Sequence, residues 1–357
     1  MVCIAAFIIL AIIGIFVAII SIFKPKIGKA YWKMFKKAWG CLWKKVRLQK
    51  CETGFKDDVK NTLLSRIMLK HPNWVKPLSW VIEVLSVIIV IVAIWALLTA
   101  VKSLLALWAL GSCNVTKPSA CSLGAEVCSI DESEPQNPIE GVGRWFTEWG
   151  EIFEAIPDKF RTYNADDYQF NYINIHENSD QSVAVDIFDP GCSVCMISYR
   201  NQKSSGFFDN YNVRLVPFAI QDADNNYKFK NSDIIVRYIF AAEEYKHGYG
   251  VKILDHIFTE FYEEKGGDGK IIAKVSYQNK FNEDYSQEEA VNRIESWLHD
   301  DGLHTAEIKE IRTITEKQDI TDKLNKNRQI VENELRVKGI PTMIYDGGRH
   351  TGLYKTE

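Results

Sequence analysis

The sequence has no internal repeat, no low-complexity tract and no excess of charge of either sign. Its 43 Lys and Arg residues nearly balance 46 Asp and Glu residues, which leaves a net charge of -3. A repeat array is therefore excluded. A chain of 357 residues with this ordinary composition is long enough for one or two globular domains.

The chain also lacks the ligands of a zinc site. Its one C-x-x-C pair, Cys192 and Cys195, has no second pair to match it, and its seven His residues are scattered. Structural zinc needs about four ligands, so we expect neither a metal nor another cofactor. A redox dithiol is the favoured interpretation of the pair, and a structural disulfide or a chance spacing are the alternatives.

Charge is missing altogether from the first stretch of the chain. Residues 1–23 contain no charged side chain, no basic segment ahead of the apolar run and no small-residue cleavage site behind it. This pattern predicts an uncleaved transmembrane helix at about 3–23. A second apolar run predicts another span at about 84–104, with Lys102 extending to the interface. We therefore expect residues 1–110 to form a membrane anchor.

Acidic residues are scarce in the loop between these spans. Residues 24–80 carry fifteen Lys or Arg against three Asp or Glu, so the positive-inside rule predicts a cytoplasmic loop, with both flanking parts of the chain outside. Four aromatic residues alternate with the lysines, which indicates a basic amphipathic helix on anionic membrane lipid rather than a nucleic-acid-binding surface. Those aromatic residues are Trp32, Phe35, Trp39 and Trp43.

The remainder of the chain is acidic. From residue 111 onward, 27 Lys or Arg face 42 Asp or Glu, a net charge of -15, which argues against DNA or RNA as a partner. Residues 111–141 have the composition of a linker, 142–164 predict an amphipathic aromatic helix, and 165–357 predict a folded domain. The helix is expected to pack on that domain, and a membrane-surface role is the alternative.

Three candidate auxiliary thiols lie in the linker: Cys113, Cys121 and Cys128. Their odd number implies one bridge and one spare thiol, or a pairing with a partner. A simple staple of the linker is one interpretation. An electron relay to or from Cys192 is the other.

The main candidate for chemistry is the segment around the C-x-x-C pair. Val183–Phe188 is short and rich in β-branched residues, which predicts a buried strand, and a Pro-Gly pair after it allows a helix to start at Cys192. The first turn of a helix favours a thiolate, so Cys192 is the expected nucleophile and Cys195 the resolving thiol. Asp186 lies in the strand, where a carboxyl group can relay a proton to the resolving thiol; a solvated, irrelevant Asp is the alternative.

A second candidate segment, Gly339-Ile340-Pro341-Thr342, lies just before a predicted strand. A proline there can take a cis bond and expose the Ile340 backbone as a short edge for an extended peptide substrate. The sequence does not show which isomer is present.

These two segments together resemble the thioredoxin superfamily. Val185-Asp186-Ile187-Phe188 ahead of Cys192-Ser193-Val194-Cys195 resembles its strand, acid and active-site helix, and Gly339-Ile340-Pro341-Thr342 resembles its cis-proline loop. The long helical interval between them is similar to the insertion of the DsbA-like branch. The resemblance implies an α/β thioredoxin-like fold over 165–357, with a helical insertion at about 231–335, preceded by two transmembrane helices.

The same resemblance implies roles for individual residues. Cys192 would be the thiol that attacks or is attacked, Cys195 the resolving thiol and Asp186 the proton carrier. Ile340, Pro341 and Thr342 would form the substrate-binding loop.

The sequence departs from the family pattern in three places. Gly191 replaces a bulky residue before the first cysteine, and Ser193-Val194 lacks the Pro or His of well-known members, so the direction of the redox reaction stays open. The last predicted strand lies close to the end of this sequence, at a point where the resemblance implies a further helix. We expect the aromatic helix, at about 145–160, to cover the sheet face that this helix would occupy.

The sequence as a whole predicts a membrane-anchored, extracytoplasmic protein disulfide oxidoreductase. It would introduce disulfides into exported proteins through Cys192 and Cys195 and would be reoxidised by a membrane redox partner. The alternatives are a reductase or isomerase of the same fold, or a membrane-tethered binding or scaffold protein in which Cys192 and Cys195 form a structural bridge.

Overall fold

The computed structural model describes residues 75–112, 115, 127–130, 137–176, 180–222, 224–265 and 270–355, together with residues 32, 35, 36, 39, 40, 43 and 47. By its internal contacts the chain divides into two compact units, Met1–Val101 and Lys102–Glu357. The predicted first span, at about 3–23, lies outside the described residues. Most of the basic loop does as well, although Trp32, Trp39 and Trp43 are helical and about half exposed.

The longest helix, α1, runs from Val75 to Leu110. No charged residue occurs between Glu83 and Lys102, which is consistent with a membrane helix. Among the described residues one helical stretch, Val87–Leu110, is long and apolar enough to cross a bilayer. The described residues therefore contain one of the two predicted spans, and the other, at about 3–23, is not among them.

The aromatic helix α2 spans Pro138–Ala155 and is followed by a 3₁₀ turn at Pro157–Lys159. It begins earlier than predicted because Asn137 caps it: its side-chain oxygen accepts a hydrogen bond from Glu140 N–H at 2.8 Å. Pro138 occupies the first turn, where its missing N–H costs nothing.

The packing of α2 differs from the expectation that it covers the sheet. Its two buried residues, Ile152 and Ala155, pack with Ala106 and Ala109 at the end of α1 in a small cluster of their own. Ala106 and Ala109 favour this packing of α2 on α1, since small side chains let two helices approach closely. Lys102 of α1 is buried and forms an ion pair with Glu148 of α2.

The folded domain is built on a five-stranded mixed sheet. The strand order is β2-β4-β3-β8-β9; β3 and β4 are parallel, and the other neighbouring pairs are antiparallel. The strands are β2 (Ile173–Asn174), β3 (Val183–Phe188), β4 (Asn212–Pro217), β8 (Thr342–Tyr345) and β9 (Gly348–Thr351). Helices α3 (Ser193–Ser204) and α4 (Phe207–Asn210) connect the parallel pair. A strand-helix-strand unit followed by a hairpin on one mixed sheet is the thioredoxin-like arrangement, which confirms the predicted fold of this domain.

The hairpin between β8 and β9 turns at Asp346 and Gly347, which both have positive φ, as expected for an Asp-Gly turn. Strand β2 is only two residues long. Ahead of it the chain forms a 3₁₀ turn at Ala165–Asp167, which is capped by Asn164.

The interval between β4 and β8 is mainly helical, as predicted. Its helices are α5 (Ser232–Tyr245), α6 (Tyr249–Thr259), α7 (Tyr277–Asn279), α8 (Gln287–Asp300), α9 (Thr305–Thr315) and α10 (Gln318–Gln329), with short π-helical turns at Lys280–Asp284 and Ile330–Glu334. After α6 the chain forms a hairpin of β5 (Phe261–Lys265) and β6 (Ile271–Ser276), whose aromatic and β-branched residues favour strands.

The insertion and the sheet share one hydrophobic core. Phe188 at the end of β3 contacts Phe258 of α6 edge to face, with ring centroids 5.9 Å apart. Both side chains are fully buried. The insertion therefore continues the core that supports the end of β3, where the C-x-x-C segment begins.

A single amide also ties the insertion to the chain beside the sheet. Asn327 of α10 is fully buried; it accepts a hydrogen bond from Asn171 N–H and donates one to Asn171 O, both at 2.8 Å. It also donates to Pro217 O at 3.2 Å. These bonds tie α10 to the backbone before β2 and at the end of β4.

We predict that Asn327→Leu lowers the free energy of unfolding by about 1–3 kcal/mol, since it leaves a buried backbone donor and acceptor without partners. Urea denaturation of the detergent-solubilised chain measures the effect. Asn325→Ala is the matched control: it lies on the same helix, exposed, and its removal is expected to cost about 0.5 kcal/mol or less. Equal costs for the two variants would contradict the anchoring role of Asn327.

Candidate active site

The C-x-x-C segment lies at the junction of β3 and α3, as the sequence predicts. Cys192 is the N-cap residue of α3, and its sulfur accepts a hydrogen bond from Cys195 N–H, with a nitrogen–sulfur distance of 3.4 Å. The N–H groups of the first helical turn have no partner within the helix, and they point towards the N-cap side chain. Together with the positive end of the helix dipole, they stabilise a thiolate there. The position is therefore suited to a leaving or attacking sulfur.

The disulfide in this structure is not the one that the sequence predicts. Cys192 is bonded to Cys128, 64 residues earlier in the chain, and Cys195 is a free, buried thiol. The expected Cys192–Cys195 bridge is thus absent from this state of the protein. Cys128 is not a staple of the linker, and the two other linker thiols, Cys113 and Cys121, lie outside the described residues.

Cys128 reaches the site on an extended strand. Strand β1 (Cys128–Ser129) pairs antiparallel with β7 (Gly339–Ile340), with Cys128 opposite Ile340. The next residue continues the ladder, since Ile130 N–H donates to Lys338 O at 3.0 Å. The predicted peptide-docking segment thus carries a peptide strand, and this strand comes from the same chain.

The rest of the Gly339–Thr342 segment is held in place by its own contacts. The Ile340–Pro341 peptide bond is cis, the isomer that the resemblance implies. The hydroxyl of buried Thr342 donates to Gly339 O at 2.7 Å, and Pro341 O accepts from Gly352 N–H at 2.8 Å. Thr342 thus holds the segment from inside β8.

Asp186 is buried in β3, where the sequence places it. Burial raises the pKa of its carboxyl group to about 7, and a hydrogen bond from Gln202 Nε2 at 2.9 Å opposes this rise. Its Oδ1 atom has no hydrogen-bond partner within the described part of the chain. A carboxyl group with this pKa exchanges its proton near neutral pH, as a proton carrier must.

A second buried carboxyl group, Asp189, was missed by the sequence reasoning. It accepts hydrogen bonds from Gly191 N–H and Ile220 N–H, both at 2.7 Å, and from the Ser232 hydroxyl. Burial raises its pKa to about 6, while these hydrogen bonds and nearby Lys228 act in the opposite direction. The only sequence signal was its place directly after the buried strand.

Both carboxyl groups act on Cys195. Burial raises the pKa of the Cys195 thiol well above its usual value, and the negative charges of Asp186 and Asp189 raise it further, although a hydrogen bond with the Asp189 backbone opposes them. Cys195 is therefore kept as a thiol until a base accepts its proton. The two carboxyl groups are the nearby candidates for that base.

The structure explains why glycine precedes Cys192. A Cβ atom at Gly191 would overlap the side chain of Phe229, starting with its Cβ. Phe229 is half-buried and packs on the core from the loop before α5. An aromatic side chain from another segment thus occupies the space where a side chain at position 191 would lie.

The helical insertion supplies two further residues that sequence reasoning missed. Gln278 Nε2 donates to Cys192 O at 2.7 Å and to Pro190 O at 3.0 Å, and Asn282 Nδ2 donates to Gly191 O at 2.7 Å. These two amides thus bind the carbonyls of three consecutive residues, 190–192, at the start of α3. Nothing near them in sequence indicates this contact, because they lie about 90 positions away.

Within the described residues, no group of three or more His, Cys, Asp and Glu side chains is arranged to hold a metal ion. The thiols and carboxyl groups of the site are arranged for disulfide exchange at Cys192, with proton transfer to and from Cys195.

Neither a protein-family model nor a curated protein matches the sequence. Several solved structures are similar at low identity. One is the thiol-disulfide exchange protein alpha-DsbA2 from Wolbachia pipientis, with 15% identity, 52% of this chain and 81% of that chain covered, and a TM-score of 0.36. Another is MdbA, a thiol-disulfide oxidoreductase from Corynebacterium diphtheriae. Its identity is 12%, the match covers 51% of this chain and 91% of that chain, and the TM-score is 0.35.

A third is the cytosolic disulfide reductase DsbM from Pseudomonas aeruginosa, with 13% identity, 47% of this chain and 87% of that chain covered, and a TM-score of 0.33. Similarities at this level assign no chemistry to this chain. The geometry of the site itself has to carry the functional conclusion.

We predict that Gly191→Ala destabilises the protein by about 1–3 kcal/mol, because the new methyl group forces Phe229 to move. Phe229→Gly removes the overlapping atoms, so the double variant should lose less than the sum of the two single losses, by about 1 kcal/mol. Urea denaturation measures all three variants. Gly150→Ala is the control: this position on α2 faces open space, so the substitution should not destabilise the protein. If the losses of the two single variants simply add in the double variant, the close contact between residue 191 and Phe229 is refuted.

We also predict a pH dependence of stability that arises from Asp186. Its pKa is about 7 when folded and 3.8 when unfolded, so between these values the unfolded chain has lost a proton that the folded chain retains. Its contribution to stability is complete below about pH 4, falls as the pH rises to about 7, and is flat above, with a slope of about 1.4 kcal/mol per pH unit.

Asp186→Asn removes this contribution. The stability of the wild type relative to Asp186→Asn should therefore fall between pH 4 and pH 7, measured by urea denaturation across that range. Asp300→Asn, an exposed carboxyl at the end of α8, is the matched control and should leave the pH profile unchanged. A wild-type profile that Asp186→Asn does not alter would show that Asp186 ionises normally.

Proposed function

We propose that this protein is a thiol–disulfide oxidoreductase that works through Cys192 and Cys195. One observation supports this most: Cys192, at the N-cap of α3, is covalently joined to a cysteine on an extended strand that pairs with Gly339–Ile340. A sulfur–sulfur bond between a helix-cap cysteine and a docked extended peptide is the arrangement of an exchange intermediate. The free thiol of Cys195, three residues away, is the group needed to resolve it.

In the oxidising direction, a substrate thiolate attacks Sγ of Cys192 in a Cys192–Cys195 disulfide. A bond forms between the substrate sulfur and Cys192, the Cys192–Cys195 bond breaks, and Cys195 leaves with the electron pair. Its high pKa makes it take up a proton, which the protonated carboxyl of Asp186 or Asp189 can donate. A second substrate thiolate then attacks the first substrate sulfur, and Cys192 leaves as a thiolate stabilised by the N-terminus of α3.

In the reducing direction the same steps run in reverse. Cys192 attacks a substrate disulfide, and Cys195 resolves the mixed disulfide after giving its proton to one of the two carboxylates. The reduction potential of the Cys192–Cys195 pair decides between the oxidising and the reducing direction. A potential near that of thioredoxin, about -270 mV, indicates a reductase, and one near that of DsbA, about -120 mV, indicates a disulfide donor. We favour the donor role for exported proteins.

We further propose that α1 anchors the domain on the outer face of a membrane. The basic loop before α1 and the acidic chain after it support this orientation by the positive-inside rule. The ion pair of Lys102 with Glu148 and the packing of α2 on Ala106 and Ala109 support a membrane boundary close to Lys102. A membrane partner would then reoxidise the Cys192–Cys195 pair, and the predicted first span at about 3–23 belongs to the same proposal.

The proposal predicts opposite outcomes for the two thiols. With the full-length chain in detergent, a glutathione buffer and a reduced two-cysteine peptide, Cys192→Ser should lower disulfide formation to the uncatalysed rate. Cys128→Ser/Cys195→Ser should instead accumulate a mixed disulfide between Cys192 and the peptide, detectable by mass spectrometry, because neither of the other two site thiols is then present to displace the peptide. Ser204→Ala, exposed on the same helix, is the control and should match the wild type. Exchange activity in Cys192→Ser would refute the proposal and favour a binding or scaffold protein.

A further inference from the structure

We propose that residues 127–130 are a tethered substrate: this segment of the chain occupies the peptide-docking edge beside Cys192, and Cys195 displaces it to form the Cys192–Cys195 disulfide. The proposal rests on the oxidoreductase function above and adds an internal substrate with a defined binding register. It also makes Cys128 a third redox-active cysteine.

The backbone of the segment is docked in register. Cys128 lies opposite Ile340 and Ser129 opposite Gly339, and Ile130 N–H donates to Lys338 O at 3.0 Å. Extended peptides that add to an exposed edge gain affinity from such main-chain hydrogen bonds. A cysteine held only by its disulfide to Cys192 would need none of these main-chain hydrogen bonds.

The side chains of the segment are docked as well. Val127, Ser129 and Ile130 are all buried, and Ile130 belongs to the main hydrophobic core. Lys228, which also lies near the Asp189 carboxyl, donates from Nζ to Ser129 O at 2.9 Å. Four consecutive residues are thus held by the folded domain.

The docking edge is shaped to admit this segment. A Cβ atom at Gly339 would lie 3.3 Å from Cβ of Val127, closer than most side-chain contacts, and 3.4 Å from Cys128 O, at the near limit of ordinary contact. Glycine at this position therefore lets the backbone of the docked strand come near. This register also defines the substrate class: an extended peptide with a small residue directly after its cysteine and an aliphatic residue at the next position.

The displacement step needs no external oxidant. The Cys195 thiol gives its proton to the carboxylate of Asp186 or Asp189, and its thiolate attacks Sγ of Cys192. The Cys192–Cys195 bond forms, the Cys128–Cys192 bond breaks, and Cys128 leaves with the electron pair and then takes up a proton. One disulfide is present before and after, so the two states have the same oxidation level. In the first state the site is closed to other substrates, and in the second it is open.

The first test is the ratio of the two disulfides in the oxidised full-length protein, freed of small thiols and held at mildly alkaline pH. Acid quenching, alkylation of free thiols and peptide mapping by mass spectrometry identify the partner of Cys192. Ile130→Asp should lower the ratio of Cys128–Cys192 to Cys192–Cys195 by about tenfold or more, because the buried aliphatic contact is lost. Ile139→Asp, at an isoleucine that is 85% exposed on α2, should leave the ratio unchanged. A ratio that Ile130→Asp does not alter overturns the proposal.

The second test supplies the segment in trans and does not depend on the folding of Ile130→Asp. In the Cys128→Ser/Cys195→Ser protein, Cys192 is the remaining site thiol. It is mixed with a synthetic peptide of residues 124–135 whose cysteine is joined by a disulfide to thionitrobenzoate. Attack by Cys192 on the peptide sulfur joins the two and releases the coloured thiol, whose appearance gives the rate.

The native peptide should react about tenfold faster or more than the same peptide with aspartate in place of isoleucine. The same protein with Cys192→Ser in addition gives the background from the other thiols of the chain. Equal rates for the two peptides overturn the tethered substrate.

The Cys128→Ser variant separates this inference from the proposed function. If it forms the Cys192–Cys195 disulfide and oxidises the two-cysteine peptide, the oxidoreductase function stands, whatever the Ile130 result. If it forms no such disulfide and has no exchange activity, the oxidoreductase function fails, and with it the displacement by Cys195. Preferential capture of the native peptide would then show a docking site without turnover.

Discussion

The turn between β3 and α3 depends on one buried carboxyl group, that of Asp189. It accepts hydrogen bonds from Gly191 in the turn, from Ile220 after β4 and from Ser232 at the start of the helical insertion. Three segments distant in sequence are thereby fixed to the place where Cys192 begins α3. The amides of Gln278 and Asn282 bind the carbonyls of the same turn from the other side. The position of the nucleophilic sulfur is thus set by polar contacts that the helical insertion completes.

The same burial that fixes the turn also controls the protons. Asp186, Asp189 and Cys195 lie in surroundings that disfavour charge, so the pKa values of all three groups are raised. Ionising any one of them discourages ionisation of the others, because like charges would then share a low-dielectric site. Cys192 differs, since it lies at the end of a helix that favours negative charge. This contrast gives the two sulfurs different roles although they are only three residues apart.

In the proposed tethered substrate, one chain serves as both enzyme and substrate. Its cysteine is bonded to Cys192, its backbone pairs with Gly339–Ile340, and Ile130 enters the core. A free peptide would lose translational freedom on binding, whereas a tethered one has lost most of it already. A strand with few contacts can therefore compete with external substrates, and a second thiol beneath the disulfide provides the means to release it.

Much of this protein follows from local sequence. The β-branched run of β3, the Pro-Gly break and the cysteine spacing determine a strand, a turn and a helix start, and the structure has all three. The apolar run of α1 and the Asp-Gly turn of the last hairpin are also determined locally, because such signals need only near neighbours. The redox role of the pair followed from the combination of thiols, acid and proline.

Only the tertiary structure decided which sulfurs are joined and which side chains support them. Cys128 and Cys192 are 64 positions apart, and pairing at that distance depends on where the linker strand docks. The packing of α2 on α1, the contact between Phe229 and Gly191, and the amides of Gln278 and Asn282 are contacts between distant segments too. The sequence alone determined which chemistry Cys192 and Cys195 are suited to, since this suitability depends on residue type and local spacing. The fold determined the partner of Cys192, because a bond between remote residues is set by the path of the whole chain.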